Sequence, residues 1–359
     1  MIKTYEYYLI KLFTKKILTI SSIFLSLILI LSILDEISFF KDLETNFFFP
    51  FLITILNAPS TLFQIFPFVF LISAQFFFLD LINKDELEIL KVNGLNNLKI
   101  IKIIFLTSFA LGLILTVLFY NFSSKLKFLY LELKNNYSND NKYLAVVTEN
   151  GLWIKDEIDE KIYIINAVQI ENNLLKEVSI SEFNRDFDLI KIIEATTIDI
   201  TSSDWIVPKP IISRNNETFK LKDKLIISTH FDEKKINSLF RNLSSLNILE
   251  LIKLKKDYES LGYSTNEVKS HLNKLFSLPI YLSIMSIFAS IIMFNIKRNK
   301  PMIFHIILGI FLSVLIYYIS YMFNLLGENG SIPLSASTWM PLFILTMFIT
   351  IGLIRINEK

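Results

Sequence analysis

The feature that most constrains this chain is its layout, in which three apolar spans are followed by a polar segment over residues 123–271 and then by three more apolar spans. A bilayer core about 30 Å thick is crossed by about 20 apolar residues in a helix, and the spans are close to that length. Charged residues make up 19% of the chain but avoid these windows. The pattern predicts a polytopic α-helical membrane protein with one sizeable inserted domain.

The apolar windows predict six transmembrane helices. They are Ile17–Leu34, about Ser60 to Leu81, Ile103–Phe122, Leu275–Ile296, Pro301–Leu326 and Thr338–Ile354. The second window, Phe47–Leu79, is too long for one straight span. Pro50, the 57–60 stretch and Pro67 interrupt it, which predicts an interfacial helix before the second span.

Basic and acidic residues lie at opposite ends of the predicted spans. The basic residues are Lys3, Lys11, Lys15, Lys16, Lys84, Lys91, Lys99, Lys102, Lys297, Arg298 and Lys300. The other ends carry Asp35, Glu36, Asp42, Glu44 and Glu328. By the positive-inside rule, both termini are cytoplasmic and the insert lies outside. The chain therefore divides into residues 1–122 with three spans, the insert 123–271, and residues 272–359 with the other three.

The insert changes from helical spacing to a period of two between Tyr143 and about Thr229. Val178, Ile180 and Phe183 alternate with polar neighbours, with one slip. The other alternating pairs are Ile198 and Ile200, Trp205 and Val207, and Leu225 and Ile227. These short strands predict an all-β domain, a small sandwich or jelly roll. Such a domain either only adds stability or handles a lipid or a partner strand at its apolar interior or open edge.

A helical pattern returns at the end of the insert. It runs over Asn247–Leu261, with Gly262 suited to the helix end. A Ser264-x-x-Glu267 capping box predicts the start of the helix that leads into the fourth span. We expect this amphipathic helical hairpin to lie at the outer membrane surface.

The loop from Asn83 to Gly94, between the second and third spans, has a helical pattern of its own. Asn83 is a candidate N-cap, acidic residues occupy the first turn, and Gly94 suits the helix end. One face carries Leu87, Leu90, Gly94, Leu95 and Leu98. The pattern predicts a cytoplasmic helix over about 84–94, roughly ten residues and 15 Å long. Because anionic headgroups repel an acidic first turn, a protein partner with a basic rim is favoured over the lipid surface.

No sequence feature indicates catalysis or cofactor binding by the chain itself. It has neither a Gly-x-x-x-x-Gly-Lys nor a Gly-x-Gly-x-x-Gly motif, and His230, His271 and His305 lack metal-ligand spacing. His305 is predicted to be interfacial. The absence of Asp and Glu in mid-span argues against an ion-coupled carrier. A net charge of +2 suggests no nucleic-acid partner. We therefore expect a chain that is not an enzyme and takes energy for any transport from elsewhere.

The sequence resembles one family over essentially its whole length. The resemblance rests on the three-plus-three layout and on Glu86–Leu90 with Gly94, Gly151–Asp156 (Gly-Leu-Trp-Ile-Lys-Asp) and Ile162–Ile164. These features resemble the lipopolysaccharide-export permeases, the YjgP/YjgQ family with its LptF and LptG branches. Within the family, the Gly151–Asp156 stretch is more similar to LptG.

The resemblance implies a permease subunit of an ABC transporter in the bacterial inner membrane. That transporter extracts lipopolysaccharide from the outer leaflet and passes it to a periplasmic bridge. The implied partners are an LptF-like permease, a dimeric cytoplasmic LptB-like ATPase that uses ATP and Mg, and an LptC/LptA-like bridge protein. This chain would bind no cofactor. The implied ATPase-coupling residues are Asp85, Glu86, Leu87, Ile89, Leu90, Asn93 and Gly94.

The resemblance also implies that the first and fifth spans form the lateral gate of a lipid cavity. The candidate residues for this cavity and gate are Ser32, Asp35, Lys41, Tyr317 and Tyr321. Relatives place a lysine near the outer end of the first span to meet lipid phosphates, whereas this chain has Ser32 there. Direct phosphate contact from that position is therefore not expected, and Lys41 is a weak substitute.

Two other classes of function remain open from the residues alone. A non-transporting envelope scaffold or sensor would bind a periplasmic protein through its β-domain and would purify without an ATPase. A membrane-embedded lipid-modifying enzyme is disfavoured because the spans lack acidic residues and clustered histidines.

Overall fold

A computed structural model describes residues 3–41, 43, 46–135, 137, 152–158, 160–171, 173–214, 217–233, 236, 242–260, 263–294 and 301–357. The chain forms two compact units. The membrane unit combines Met1–Lys127 with Asn266–Lys359, and the sheet unit is Phe128–Thr265. Some residues used in the sequence argument lie outside the described ranges, namely Asp42, Glu44, Tyr143, Gly151, Gly262, Lys297, Arg298 and Lys300.

Helices make up the described part of the membrane unit. They are α1 (Thr4–Phe40), α2 (Phe49–Gln64), α3 (Phe66–Asn83), α4 (Glu86–Val92), α5 (Asn97–Ile114), α6 (Tyr120–Asn135), α8 (Asn266–Phe294), α9 (Met302–Glu328) and α10 (Leu334–Asn357). Helix α6 continues into the sheet unit, and helix α7 (Ile248–Ser260) lies within that unit. A π-helix, Leu115–Phe119, joins α5 to α6. Among the described residues, six segments are long and apolar enough to cross a membrane: α1, α3, the run from α5 to α6, α8, α9 and α10. This confirms the six predicted spans.

The break before the second span lies later than predicted. The prediction of a break at residues 57–60 is wrong, because α2 continues through Pro59 and ends at Gln64. Helical geometry is interrupted at Ile65, and Pro67 lies in the first turn of α3. A proline in a first turn loses no intrahelical hydrogen bond, so Pro67 begins a helix there at little cost.

Close contacts between α5 and α8 join the two halves of the membrane unit. The Ser108 hydroxyl donates to the Ser286 hydroxyl at 2.8 Å. A Cβ atom at Gly112 would lie 2.7 Å from the Cα of Pro279, so only glycine permits this approach. Small residues of this kind let helices pack tightly in a bilayer, where lipid provides no hydrophobic drive for association. The inserted sheet unit therefore interrupts the sequence of the bundle without interrupting its packing.

The sheet unit contains an eight-stranded antiparallel sheet in its described residues. The strands are β1 (Leu152–Ile158), β2 (Lys161–Glu171), β3 (Leu174–Phe183), β4 (Leu189–Asp199), β5 (Asp204–Val207), β6 (Ile211–Arg214), β7 (Glu217–Lys220) and β8 (Leu225–Ser228). The order is β1-β2-β3-β4-β5-β8, and the β6–β7 hairpin also pairs with β4. The prediction of an all-β insert is confirmed.

The alternation of β3 differs from the prediction in one place. Val178 and Ile180 are buried, but the next inward position is Glu182 rather than Phe183. Buried positions thus alternate from Val178 to Glu182, and the irregularity is instead a shift in the pairing register with β4 between Glu182 and Phe183. The Glu182 carboxylate forms ion pairs with Lys161 of β2 at 2.9 Å and Lys191 of β4 at 3.0 Å. Burial alone raises the pKa of Glu182, but these lysine contacts outweigh it and hold the pKa below its ordinary value.

A second buried carboxylate links the two ends of the strand order. Asp156 of β1 is buried and accepts a hydrogen bond from the backbone N–H of His230, which follows β8, at 2.9 Å. The Nδ1 atom of His230 lies 2.8 Å from the same carboxylate. Since β1 and β8 are the first and last strands of the order, this contact shows that the sheet curls until its ends meet.

Helix α7 confirms the helical pattern predicted at the end of the insert. It buries Leu251 and Leu254. Tyr263, which follows it, accepts a hydrogen bond from the backbone N–H of Lys155 in β1 at 3.1 Å. Burial raises the pKa of the Tyr263 phenol to about 12. The tyrosine is therefore a neutral hydrogen-bonding group that joins this segment to the sheet.

Candidate functional site

Helix α4 is shorter than predicted. It contains seven residues and is therefore about 10 Å long. The prediction that Asn83 caps it is wrong, because Asn83 is the last residue of α3. Asp85 occupies the N-cap position in the left-handed region, with φ of 57°. Aspartate is one of the few side chains that adopt this conformation readily, so the chain turns sharply between α3 and α4.

The C-terminal end of α4 has the predicted glycine stop. Gly94 has φ of 85°, its N–H donates to the Lys91 carbonyl at 2.9 Å, and the Leu95 N–H donates to the Leu90 carbonyl at 3.1 Å. This pair of bonds is a Schellman motif, which satisfies carbonyls that the helix end would leave free. The Asn93 side chain also donates to the Ile89 carbonyl at 2.7 Å.

The predicted leucine stripe of α4 faces the bundle of the membrane unit. Leu87 and Leu95 are buried in its core, and Leu90 packs against that core. Glu86 is fixed separately, because its carboxylate accepts a hydrogen bond from the Tyr8 hydroxyl of α1 at 2.6 Å. Three of the predicted coupling residues, Glu86, Leu87 and Leu90, therefore hold α4 in place.

The opposite face of α4 is exposed, and we call it the α4 outer face. It consists of Asp85, Glu88, Ile89 and Val92. Ile89 is 58% exposed and Val92 is 88% exposed. Two exposed apolar side chains beside two carboxylates form a small surface suited to a partner with an apolar pocket and a basic rim. The sequence argument did not single out Val92, although its i, i+3 spacing from Ile89 places both on one face.

The predicted gate residues lie on two helices of the membrane unit. On α1, Ser32 is half-buried and Asp35 is exposed, and Lys41 is exposed just after the helix ends. On α9, Tyr317 and Tyr321 are stacked, with ring centroids 6.5 Å apart and an interplanar angle of 12°. About half of each tyrosine is exposed. Tyr317 also packs against Phe68 of α3 at 5.6 Å, so one of the two is fixed against its own bundle.

A buried polar contact between α3 and α9 was not predicted. Gln75 of α3 is fully buried and donates from Nε2 to the backbone carbonyl of His305 at 2.9 Å. A Cβ atom at Gly309 would overlap the Gln75 amide, so glycine makes room for it. His305 itself is buried near the start of its helix, α9 (Met302–Glu328), and its interfacial position stays a prediction. A lone glutamine in an apolar span was the sequence signal that could have revealed the contact.

These features define a polytopic helical membrane protein with an inserted β-sheet unit and one short loop helix. The chain belongs to the LptF/LptG family, because a family model described as "Lipopolysaccharide export system permease LptF/LptG" matches residues 7–355. A comparison with curated proteins finds no match. The predicted family is thus confirmed, and the chain is a multi-pass inner-membrane protein of a lipopolysaccharide-export permease family.

Proposed function

We propose that this chain is the LptG-type permease subunit of an ABC transporter that extracts lipopolysaccharide from the outer leaflet of the inner membrane. A second, LptF-like permease completes the lipid cavity. A dimeric cytoplasmic ATPase drives the cycle with ATP and Mg, and a periplasmic LptC/LptA-like protein receives the lipid. The family match over residues 7–355 supports this assignment, and the Gly151–Asp156 stretch supports the LptG type.

The observation that carries the proposal is the α4 outer face. Ile89 and Val92 are highly exposed apolar side chains. Because Tyr8 and Leu87 hold their helix in place, they offer a rigid surface to a partner protein. In the proposed orientation both chain termini and α4 are cytoplasmic, on the side of the ATPase. The sheet unit is periplasmic, on the side of the bridge protein. The loop basic residues favour this orientation through the positive-inside rule.

Binding of the ATPase to α4 is tested by purification of the full chain with its coexpressed permease and ATPase. Ile89→Glu and Val92→Glu each add a charge to the outer face without removing a core contact. We expect the ATPase to be lost from the purified complex. Leu249→Glu is the matched control, because Leu249 is 79% exposed on α7, in the sheet unit. ATPase retained by both outer-face variants would contradict the coupling role of α4.

Lipopolysaccharide transport is tested in vesicles that contain the complex and lipopolysaccharide. We expect ATP-dependent release of lipopolysaccharide to a soluble bridge protein, and loss of that release in the same two variants. Purification of the chain without any ATPase would instead favour an envelope scaffold or sensor. Turnover of lipid in the absence of ATP would favour a lipid-modifying enzyme.

A further inference from the structure

A cavity of about 290 Å³ lies between α8, α9 and α10 of the membrane unit. Phe288 of α8 and Ile316 of α9 form part of its inner wall. Ile319 of α9 and Ile344 and Phe348 of α10 lie at positions exposed on the outside of the bundle. The cavity therefore opens toward the surroundings of these spans.

The lining of the cavity is hydrocarbon. It consists of leucine, isoleucine, phenylalanine and one proline, together with Ser320. Ser320 contributes the single hydroxyl of this lining. A headgroup or a peptide would lose its hydrogen bonds to water here without replacement. An apolar cavity of this kind stays dry and accepts apolar ligands.

The position of the cavity along the helices selects the kind of apolar ligand. Its lining residues fall at 312–320 of α9 and 341–348 of α10, near the middle of both spans. In a bilayer core about 30 Å thick, that level contains acyl chains and no headgroups. One turn beyond Phe348, α10 packs closely on α8, since a Cβ atom at Gly352 would lie 2.8 Å from Ile291.

We propose that this cavity is a binding site for the acyl chain of a membrane lipid. The chain enters from the bilayer between α9 and α10, past the exposed ring of Phe348, and its methylenes contact Phe288 and Ile316. The gain is mainly dispersion, because transfer from one apolar medium to another supplies no hydrophobic drive. An empty cavity would leave the same side chains without contacts on one side. The site does not depend on which substrate the protein exports.

The proposal is tested with the full chain in vesicles of phosphatidylethanolamine and phosphatidylglycerol that include a phospholipid with a photoreactive diazirine at mid-chain. After illumination, mass spectrometry locates the labelled peptides. We expect label on the α8 peptide that contains Phe288. Ile344→Trp fills the cavity, and we expect it to abolish that label. Met347→Trp is the matched control: it is an exposed position on the same helix that does not line the cavity, and the label should remain.

A second pair of variants approaches the cavity from α9. Ile319→Trp fills it, whereas Tyr318→Trp changes an exposed neighbour that does not line it. Elution of each variant as a monodisperse species in size-exclusion chromatography verifies its folding. Absence of label on the Phe288 peptide in the unchanged protein would overturn the proposal. Equal label in the filled and control variants would also overturn it, because it would indicate general contact with lipid.

Discussion

The buried carboxylates of the sheet unit and the α3–α9 contact of the membrane unit differ in how well their polar atoms are paired. In the sheet unit, Glu182 has two lysine partners, and Asp156 contacts both the backbone and the ring of His230. In the membrane unit, Gln75 donates one hydrogen bond to His305. Its own Oε1 atom and the Nδ1 atom of His305 are buried without a partner among the described residues.

The Glu182 ion pairs and the Gln75–His305 contact therefore differ in how much free energy their loss costs. A buried polar atom without a partner costs free energy, so the α3–α9 contact is less favourable than its single hydrogen bond suggests. A carboxylate with two cationic partners is costly to disrupt, because loss of the partners leaves a charge in an apolar interior. Buried polar contacts therefore stabilise the sheet unit, whereas α9 is held beside α3 mostly by packing.

The largest expected effect is loss of both partners of Glu182. Lys161→Met with Lys191→Met leaves the carboxylate buried and unpaired, and we expect the free energy of unfolding of the sheet unit to fall by about 3 kcal/mol. Denaturant unfolding in detergent measures it, followed by tryptophan fluorescence in a background with Trp153→Phe and Trp339→Phe, so that only the buried Trp205 reports. Adding Glu182→Leu to the double variant should restore most of the loss. If the double variant alone is as stable as the unchanged protein, the ion pairs are not what fastens this sheet.

The next effect is expected at the α3–α9 contact. Gly309→Ala places a methyl group on the Gln75 amide, and overpacking of this kind costs about 1–3 kcal/mol. The midpoint of thermal unfolding in detergent should fall. Gln75→Ala combined with Gly309→Ala has room for the methyl group and should recover the lost stability. A loss that persists in the combined variant would mean that Gly309 is needed for another reason.

Acidification should weaken the sheet unit through Glu182. Because its pKa in the folded protein lies below the ordinary glutamate value of about 4.3, its contribution is complete above that value. The contribution is lost as the pH falls through the lower, folded pKa, at about 1.4 kcal/mol for each unit between the two values. Unfolding free energies measured from neutral to acidic pH should therefore decline, and Glu182→Gln should remove part of the slope.

Asp199 supplies an independent contribution to the same profile. A hydrogen bond from the Thr201 hydroxyl, with another from its backbone N–H, holds the pKa of Asp199 below its ordinary value. Asp199→Asn should therefore remove a different part of the slope. An unchanged slope in both Glu182→Gln and Asp199→Asn would assign the acid sensitivity to other groups.

The smallest expected effect is the replacement of Gln75 itself. Gln75→Leu removes one hydrogen bond, worth about 1 kcal/mol, but it also removes a buried amide oxygen without a partner, and the two effects offset each other. We expect a change within about 1 kcal/mol in thermal unfolding. Glu182→Leu, with Lys161 and Lys191 unchanged, is the corresponding replacement in the sheet unit and serves as the control. A large loss for Gln75→Leu would show that the membrane unit is also fastened by its polar groups.

Much of the fold could be predicted because its signals are local. Hydropathy gave the six spans, and a period of two gave the all-β insert. Pro67 indicated the break at Ile65, but the sequence could not distinguish it from the wrong break at 57–60. The π-helix at Leu115–Phe119 could not be placed, since it depends on which turns neighbouring helices stabilise. The burial of Glu182 was also missed, because its two partners come from neighbouring strands that the sequence does not bring together.

The candidate site was predicted less completely than the fold. Glycine at position 94 correctly indicated where the loop helix ends. The leucine stripe on α4 showed that the helix has an apolar face, but a stripe alone does not say whether that face meets a partner or its own bundle. Only the three-dimensional structure assigns Leu87 inward and leaves Ile89 and Val92 outward.

The left-handed residues at both ends of α4, Asp85 and Gly94, have a mechanical consequence. Because the chain turns sharply at each end, α4 extends neither α3 nor α5, and a load on its outer face has no straight backbone path into either helix. Such a load enters the bundle sideways, through the Glu86–Tyr8 hydrogen bond to α1 and through Leu87 to the core. The stiffness of this junction is therefore set by side chains, and a change to Tyr8 would alter it while leaving every helix intact.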